Sequence, residues 1–207
     1  MGDRGTDTTA SKAFDYPAKV HVRKHGPEGY EDYESYRDWL RDEFLFRCAA
    51  CLDREKWIGL RGKFHIDHIH SQVECPERRL DYDNLVYLCA SCNLVKPDKE
   101  APDPCSLPMG ECLSVSEDGR IHPLNDQGQI VINAFRLDSR DANERRALVL
   151  DAIRCLKNQG KSLVQWLGFP SDLPDLRQMK PPSNTRPEGL DNCFYVLRER
   201  GRIPEIY

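Results

Sequence analysis

Two C-x-x-C pairs, Cys48-Ala49-Ala50-Cys51 and Cys89-Ala90-Ser91-Cys92, stand on either side of the run Phe64-His65-Ile66-Asp67-His68-Ile69-His70. Paired thiolates at both ends of a segment suit a tetrahedral four-cysteine Zn²⁺ site. Such a clip joins two distant points of backbone and holds what lies between them. Here that is Asp67-His68 and Asn84, with Asn93 directly after the last cysteine. The zinc is expected to be structural, because four thiolates leave no open position for water.

The order of these residues resembles the HNH nuclease family, also called the ββα-metal family. Its pattern runs C-x-x-C, then Asp-His-Ile, then Asn-Leu-x-x-Leu-Cys-x-x-Cys-Asn/His-x-x-Lys. The chain supplies Cys48 and Cys51, Asp67-His68-Ile69, Asn84-Leu85-Val86-Tyr87-Leu88-Cys89, then Cys92-Asn93 and Lys96. The likeness covers residues 45–99, about a quarter of the chain. Two positions depart from the usual pattern: Asn93 stands in place of the final His, and Ser71 where many members carry Pro. The resemblance implies a metal-dependent endonuclease acting on nucleic acid, DNA above all. It assigns Asn84 to bracing the loop and orienting His68.

The expected fold class is α+β: a zinc-stapled ββα core with an N-terminal helix and a mixed α/β C-terminal extension. Three regions are expected. Residues 1–30 read as a loose polar arm, with the triplet Arg23-Lys24-His25 solvated. Residues 31–99 hold the nuclease core, and residues 100–207 an accessory region that could dock a partner. Within the core, Tyr33, Tyr36, Leu40 and Phe44 recur at helical spacing between Glu31 and Arg47. The runs Lys56–Leu60 and Lys63–Ile66 flank Arg61-Gly62 and predict a hairpin. A polar loop follows over 71–83, and a helix is expected from Asn84 to Lys96, stopped by Pro97.

Beyond the core, Asp98–Pro108 reads as a linker, and Leu113–Ser116 with Arg120–His122 as a hairpin about Asp118-Gly119. A strand is expected over Gln129–Phe135, a helix over Asp138–Gly160 and a short helix about Leu190–Leu197. This half loosely resembles the region after the core in nuclease components of Septu-type phage-defence systems. That likeness implies a larger ATPase subunit as partner and an anti-phage setting.

The 207 residues include nine cysteines. In a reducing cytosol, metal binding is the better use of the paired ones. Cys155 and Cys193 fall on apolar helix faces and are expected to be buried, while Cys75, Cys105 and Cys112 sit in loops. No apolar run approaches the ~20 residues of a membrane span, and the N-terminus lacks the apolar region of a signal peptide. Cytoplasmic residence is the default expectation, with no membrane partner. The net charge of −4 is unhelpful for approaching a polyanion. Residues 45–100, however, balance 9 Lys/Arg against 9 Asp/Glu, so a local patch, a bound cation or a basic partner could supply the attraction.

Phosphodiester hydrolysis requires an activated water, charge stabilisation on the phosphate and help for the departing oxygen. His68 is the expected general base, since an imidazole with a reference pKa of about 6.5 can take the proton near neutral pH. Asp67 and Asn93 are the expected oxygen ligands of one catalytic Mg²⁺ or Mn²⁺. His65 and His70 are candidates for a further ligand or a substrate contact. Lys96, one turn after Asn93, either touches a substrate phosphate or is a solvated helix-end lysine. Two rival readings remain: an RNA-cleaving effector using the same chemistry, and a non-catalytic zinc module binding nucleic acid or protein. A bare zinc module has no need for Asp67, His68, Asn84 and Asn93.

Overall fold

A computed structural model describes residues 12–57, 64–97, 101–155 and 161–203. In chain order the elements are β1 (Pro27–Glu28), α1 (Arg37–Glu43), β2 (Phe64–His68), β3 (Leu85–Cys89), α2 (Ala90–Val95) and α3 (Met109–Cys112). They continue with β4 (Leu113–Val115), β5 (Ile121–Pro123), α4 (Asp126–Phe135), α5 (Arg140–Arg154), α6 (Lys161–Leu167), β6 (Ser183–Asn184) and α7 (Phe194–Glu199). The sheets are three antiparallel pairs, β1–β6, β2–β3 and β4–β5. None of the described helices is long and apolar enough to cross a membrane.

The centre is the β2–β3 pair with α2 following β3. Alternation sends Phe64, Ile66 and His68 inward and leaves His65 and Asp67 half-buried. Every residue of β3 is buried, so Leu85-Val86-Tyr87-Leu88-Cys89 reads as an apolar run rather than an alternating one. Phe64 faces Cys89 and His68 faces Leu85 in the register, and the Phe64 and Tyr87 rings stack at 4.9 Å. One sequence expectation is corrected here. The helix expected from Asn84 is a strand up to Cys89, because Val86 and Tyr87 suit a pleat and β2 supplies the partner. The hairpin expected over 56–66 falls largely on residues 58–63, which lie outside the described residues; its second run supplies β2, which pairs with β3.

Before α1, a 3-10 turn over Tyr33–Tyr36 is capped by Asp32, whose carboxylate accepts from Ser35 N at 3.0 Å. The helix expected over 31–47 is therefore a 3-10 turn followed by seven residues of α-helix. Tyr36, Trp39, Leu40 and Phe44 are buried.

The N-terminal arm is not loose where it is described. Phe14 and Tyr16 are buried, and Tyr16 Oη donates to the Ala50 carbonyl at 3.0 Å. Arg23 bonds the Leu85 carbonyl at 2.6 Å. Asp42, fully buried on α1, accepts from Lys24 Nζ at 2.6 Å, His25 Nε2 at 2.8 Å and Phe194 N at 2.6 Å. Glu43 accepts from His21 Nε2 at 2.8 Å, from the backbone N–H of Lys24 and His25 at 2.8 and 2.9 Å, and from Tyr82 Oη at 3.1 Å. Lys24 and His25, expected in solvent, thus satisfy two buried acids, and Arg23 is tied to a backbone carbonyl. Arg186 extends the network, bonding the His25 carbonyl at 2.7 Å and Asp83 at 2.7 Å.

This network has a measurable pH signature. Burial alone would push the Glu43 carboxyl up, but the bonds from His21, Lys24 N and His25 N, with the charge of Arg23, hold it at about 2. A depressed carboxylate contributes stability above its unfolded value, near 4.5, and that contribution disappears as pH falls through the folded value. Glu43→Gln, which resembles the protonated acid, should be roughly 3 kcal/mol less stable than wild type at pH 7. The gap should close towards pH 2. Urea melts of both proteins at pH 7 and 2.5 measure it, and an unchanged gap would exclude this account.

Beyond the core, the expected hairpin appears as β4–β5. The strand expected over Gln129–Phe135 is instead α4. Asn125 caps it, accepting from Gly128 N at 2.9 Å, and Gly128, Val131, Ile132 and Phe135 bury one face at helical spacing. The β-branched run is overridden by this packing. α5 starts at the Ser139 cap rather than Asp138 and runs to Arg154; Gly160 lies outside the described residues. Cys193 is buried as expected, but Cys155 is exposed at the end of α5. Within 101–108, Cys105 is buried and its carbonyl accepts from His21 N at 3.0 Å, so the expected linker is partly packed.

Candidate active site and metal centre

The knuckle bearing Cys48 and Cys51 is reached through an unusual backbone. Leu45, Phe46 and Leu52 have φ of 56°, 56° and 63°, left-handed values that cost of order 1 kcal/mol or more each for non-glycine residues. Main-chain bonds hold the turn: Phe46 N to Arg41 O at 2.7 Å, Cys48 N to Asp53 O at 2.8 Å and Leu52 N to Cys48 O at 3.1 Å. The second knuckle follows from β3, which ends at Cys89. Its Sγ caps α2 by accepting from Cys92 N at 3.5 Å.

The two knuckles bring all four cysteines together. Their Sγ atoms lie within 4.8 Å of one another, and Cys51 Sγ is 3.6 Å from Cys89 Sγ. A tetrahedral zinc with Zn–S bonds near 2.3 Å requires sulfurs roughly 3.8 Å apart, so the thiols fit such an ion. Four neighbouring thiols cannot all ionise unaided. Hydrogen bonds from Cys48, Cys51 and Cys92 hold the Cys89 thiol far below its ordinary value, while contacts within the cluster push Cys51 and Cys92 well above theirs. A bound cation removes this conflict by favouring all four thiolates.

Two residues supporting this centre were not singled out in the sequence. Asp53 Oδ2 lies 3.2 Å from Cys51 Sγ, and Arg145 of α5 pairs with that oxygen at 2.5 Å. Burial pushes the Asp53 carboxyl up, and the Arg145 charge opposes it. Asp53 is local to the C-x-x-C and could have been suspected, but nothing in the sequence points to Arg145. Its positive charge offsets thiolate and carboxylate charge at the knuckle. Arg145→Ala should therefore speed zinc loss to a chelator by roughly tenfold or more, the usual scale for removing a residue that supports metal ligands. Transfer of zinc to a chromogenic chelator measures this; an unchanged rate would leave Arg145 with a packing role only.

His68 closes β2 and is buried. Its Nε2 lies 3.0 Å from the Arg79 carbonyl, and a carbonyl can only accept, so Nε2 carries the proton. The lone pair is then on Nδ1, where the Gln72 amide donates at 3.3 Å. The Tyr33 ring meets the imidazole edge-on at 5.2 Å. Gln72 is itself solvent-exposed.

Asn84 is fully buried and spans the loop after His68. Its Oδ1 accepts from His70 N at 2.8 Å, its Nδ2 donates to the His70 and Arg78 carbonyls at 3.1 Å each, and its carbonyl accepts from Ile69 N at 2.8 Å. The loop that presents the Arg79 carbonyl to His68 is therefore tied to the end of β2. Lys96, at the end of α2, donates to the His68 carbonyl at 2.7 Å and lies 2.8 Å from Asp67 Oδ2. It is neither solvated nor aimed outward. Asn93 precedes it by three residues on the half-exposed face of α2.

The structure thus joins Asp67, His68, Asn84 and Lys96 through direct contacts or one loop, with Asn93 on the adjoining helix. His65 is half-buried and His70 exposed. Among the described residues, the four cysteines are the one group of three or more His, Cys, Asp or Glu whose ligand atoms converge. His65 and His70 do not assemble with Asp67 into a second such group. Residues 48–99 match a family model described as HNH endonuclease, and no curated protein matches the chain. The matched segment ends at residue 99, so the likeness of the C-terminal half to phage-defence components has no support from it.

Proposed function

We propose, from the match of residues 48–99 to the HNH endonuclease model, that this protein is a nuclease that hydrolyses phosphodiester bonds of DNA using His68 as general base and one divalent cation. The observation that carries the reading is the fixed imidazole. Nε2 is committed to the Arg79 carbonyl, so the lone pair is on Nδ1, met among the described residues only by the side chain of the exposed Gln72.

His68 Nδ1 takes a proton from water as the water oxygen bonds to phosphorus, and the bond from phosphorus to the 3′ oxygen breaks, that oxygen gaining a proton from solvent. Asn84 keeps the loop in place, and so keeps the Arg79 carbonyl on Nε2 throughout. Asp67 and Asn93 present the oxygens suited to Mg²⁺ or Mn²⁺. When bound, that cation supplies Lewis-acid stabilisation of charge on the phosphate and the departing oxygen. A structural zinc held by the four cysteines would fix the Cys48–Cys51 knuckle to the junction of β3 and α2. No step of this scheme requires a 2′-OH, so DNA is a competent substrate.

Supercoiled plasmid incubated with the zinc-loaded protein should be nicked or linearised with Mg²⁺ or Mn²⁺ and spared with EDTA. Cleavage of a matched RNA alone would move the assignment to the RNA effector. Inertness towards both would leave the zinc-module reading, with cleavage dependent on another subunit.

A further inference from the structure

Asp67 is the single carboxylate among Asp67, His68, Asn84 and Asn93, and it already has a cation. The Lys96 ammonium lies 2.8 Å from Oδ2 and donates 2.7 Å to the His68 carbonyl, with its side chain only 13% exposed. Oδ2 is sealed from solvent and receives no aligned hydrogen bond, so the contact is ionic. The remaining exposure of the Asp67 side chain, 23%, falls on Oδ1 and its neighbouring carbons. One oxygen is held by lysine and the other is open.

We propose that Lys96 is the resident counter-ion of the metal-ligating carboxylate and makes divalent-cation binding depend on the substrate phosphate. This rests on the assignment of Asp67 and Asn93 as ligands. An Asp67–Lys96 pair carries no net charge and Asn93 adds none, so a doubly charged ion meets an electrically neutral site with a like charge on the far oxygen. A phosphodiester brings the missing negative charge. Metal and nucleic acid then raise each other's affinity by the same factor, as linkage requires. The site stays poorly loaded until a strand lies in it, which restrains metal-driven side reactions.

A purely structural Lys96, docking the end of α2 on β2, would need only the bond to the His68 carbonyl. Lys96→Met keeps the apolar stem and removes the charge, and Lys96→Arg keeps the charge. All variants are made in a His68→Ala background, so that no substrate is cut, and checked for zinc content. Mn²⁺ binding is read from the free-ion electron paramagnetic resonance signal, without nucleic acid and with a short DNA duplex, corrected for Mn²⁺ held by the duplex alone.

Lys96→Met should bind Mn²⁺ roughly tenfold tighter without DNA, the order expected for removing a neighbouring unit charge in a solvent-like dielectric. Lys96→Arg should bind as the parent does. The duplex should tighten Mn²⁺ binding in the parent and do so less in Lys96→Met. No tightening in Lys96→Met, or an equal gain from DNA in both, would overturn the proposal. If Lys96→Met does not fold, Lys96→Gln carries the same expectation. Asp67→Ala separates the two levels: if it binds Mn²⁺ as the parent does, the ligand assignment itself fails. If it loses Mn²⁺ while Lys96→Met does not gain it, only the role of Lys96 fails.

Discussion

Replacing Cys89 by Ser should empty the four-cysteine site and unfold the core. Three functions meet at this residue: it closes β3 opposite Phe64, its sulfur caps α2, and it stands 3.6 Å from Cys51 Sγ. A serine hydroxyl can repeat the cap but is a poor soft ligand. Structural zinc in small sites contributes about 10–16 kcal/mol, against a net stability of about 5–15 kcal/mol for a whole domain. Losing even a third of the metal term, about 3–5 kcal/mol, would remove a large share of that margin. The strained turn through Leu45 and Phe46 would then lose the ion that anchors its far end. Atomic absorption should find less than one zinc per chain, and circular dichroism a loss of the cooperative melt. A variant with full zinc and an unchanged melt would show that the thiols are not a metal centre.

His68→Ala should have the opposite profile, with little effect on folding and a large one on cleavage. The lost contacts are the Arg79 carbonyl, Gln72 and the edge of Tyr33. A small buried side chain with one good hydrogen bond is worth about 1–2 kcal/mol, which shifts a melt by a few degrees. Removing a general base lowers the rate by about 10²–10⁴. Single-turnover cleavage measured with the melt of the same preparation checks both halves. A variant that cuts at the wild-type rate would move the base to another group.

Local chemistry was legible where a residue type has few alternatives. The C-x-x-C pairs, the Asp118-Gly119 hairpin and the α5 periodicity all carry their meaning within a few residues. Segments were misread where a distant partner decides. Asn84–Lys96 looks helical until β2 pairs with its first half, and Gln129–Phe135 looks extended until the Asn125 cap and a buried face make it α4. The N-terminal charges looked solvated because the acids that take them, Asp42 and Glu43, belong to a helix that itself reads as an ordinary amphipathic segment. Arg145 and the Arg79 carbonyl were invisible for a related reason. One acts through tertiary contact, and the other is a backbone atom, which residue identity does not encode.

Asp42 binds Lys24 and His25 from one end of the chain and Phe194 N from the other. All of these lie outside the segment that matches the family. A fragment trimmed to residues 48–99 would carry every candidate catalytic group yet lack the acid, α1 and both straps fastened to it. The unit that can be moved between proteins is therefore larger than the unit that can be recognised in them. Moving this domain into another protein requires residues 13–194 to travel together.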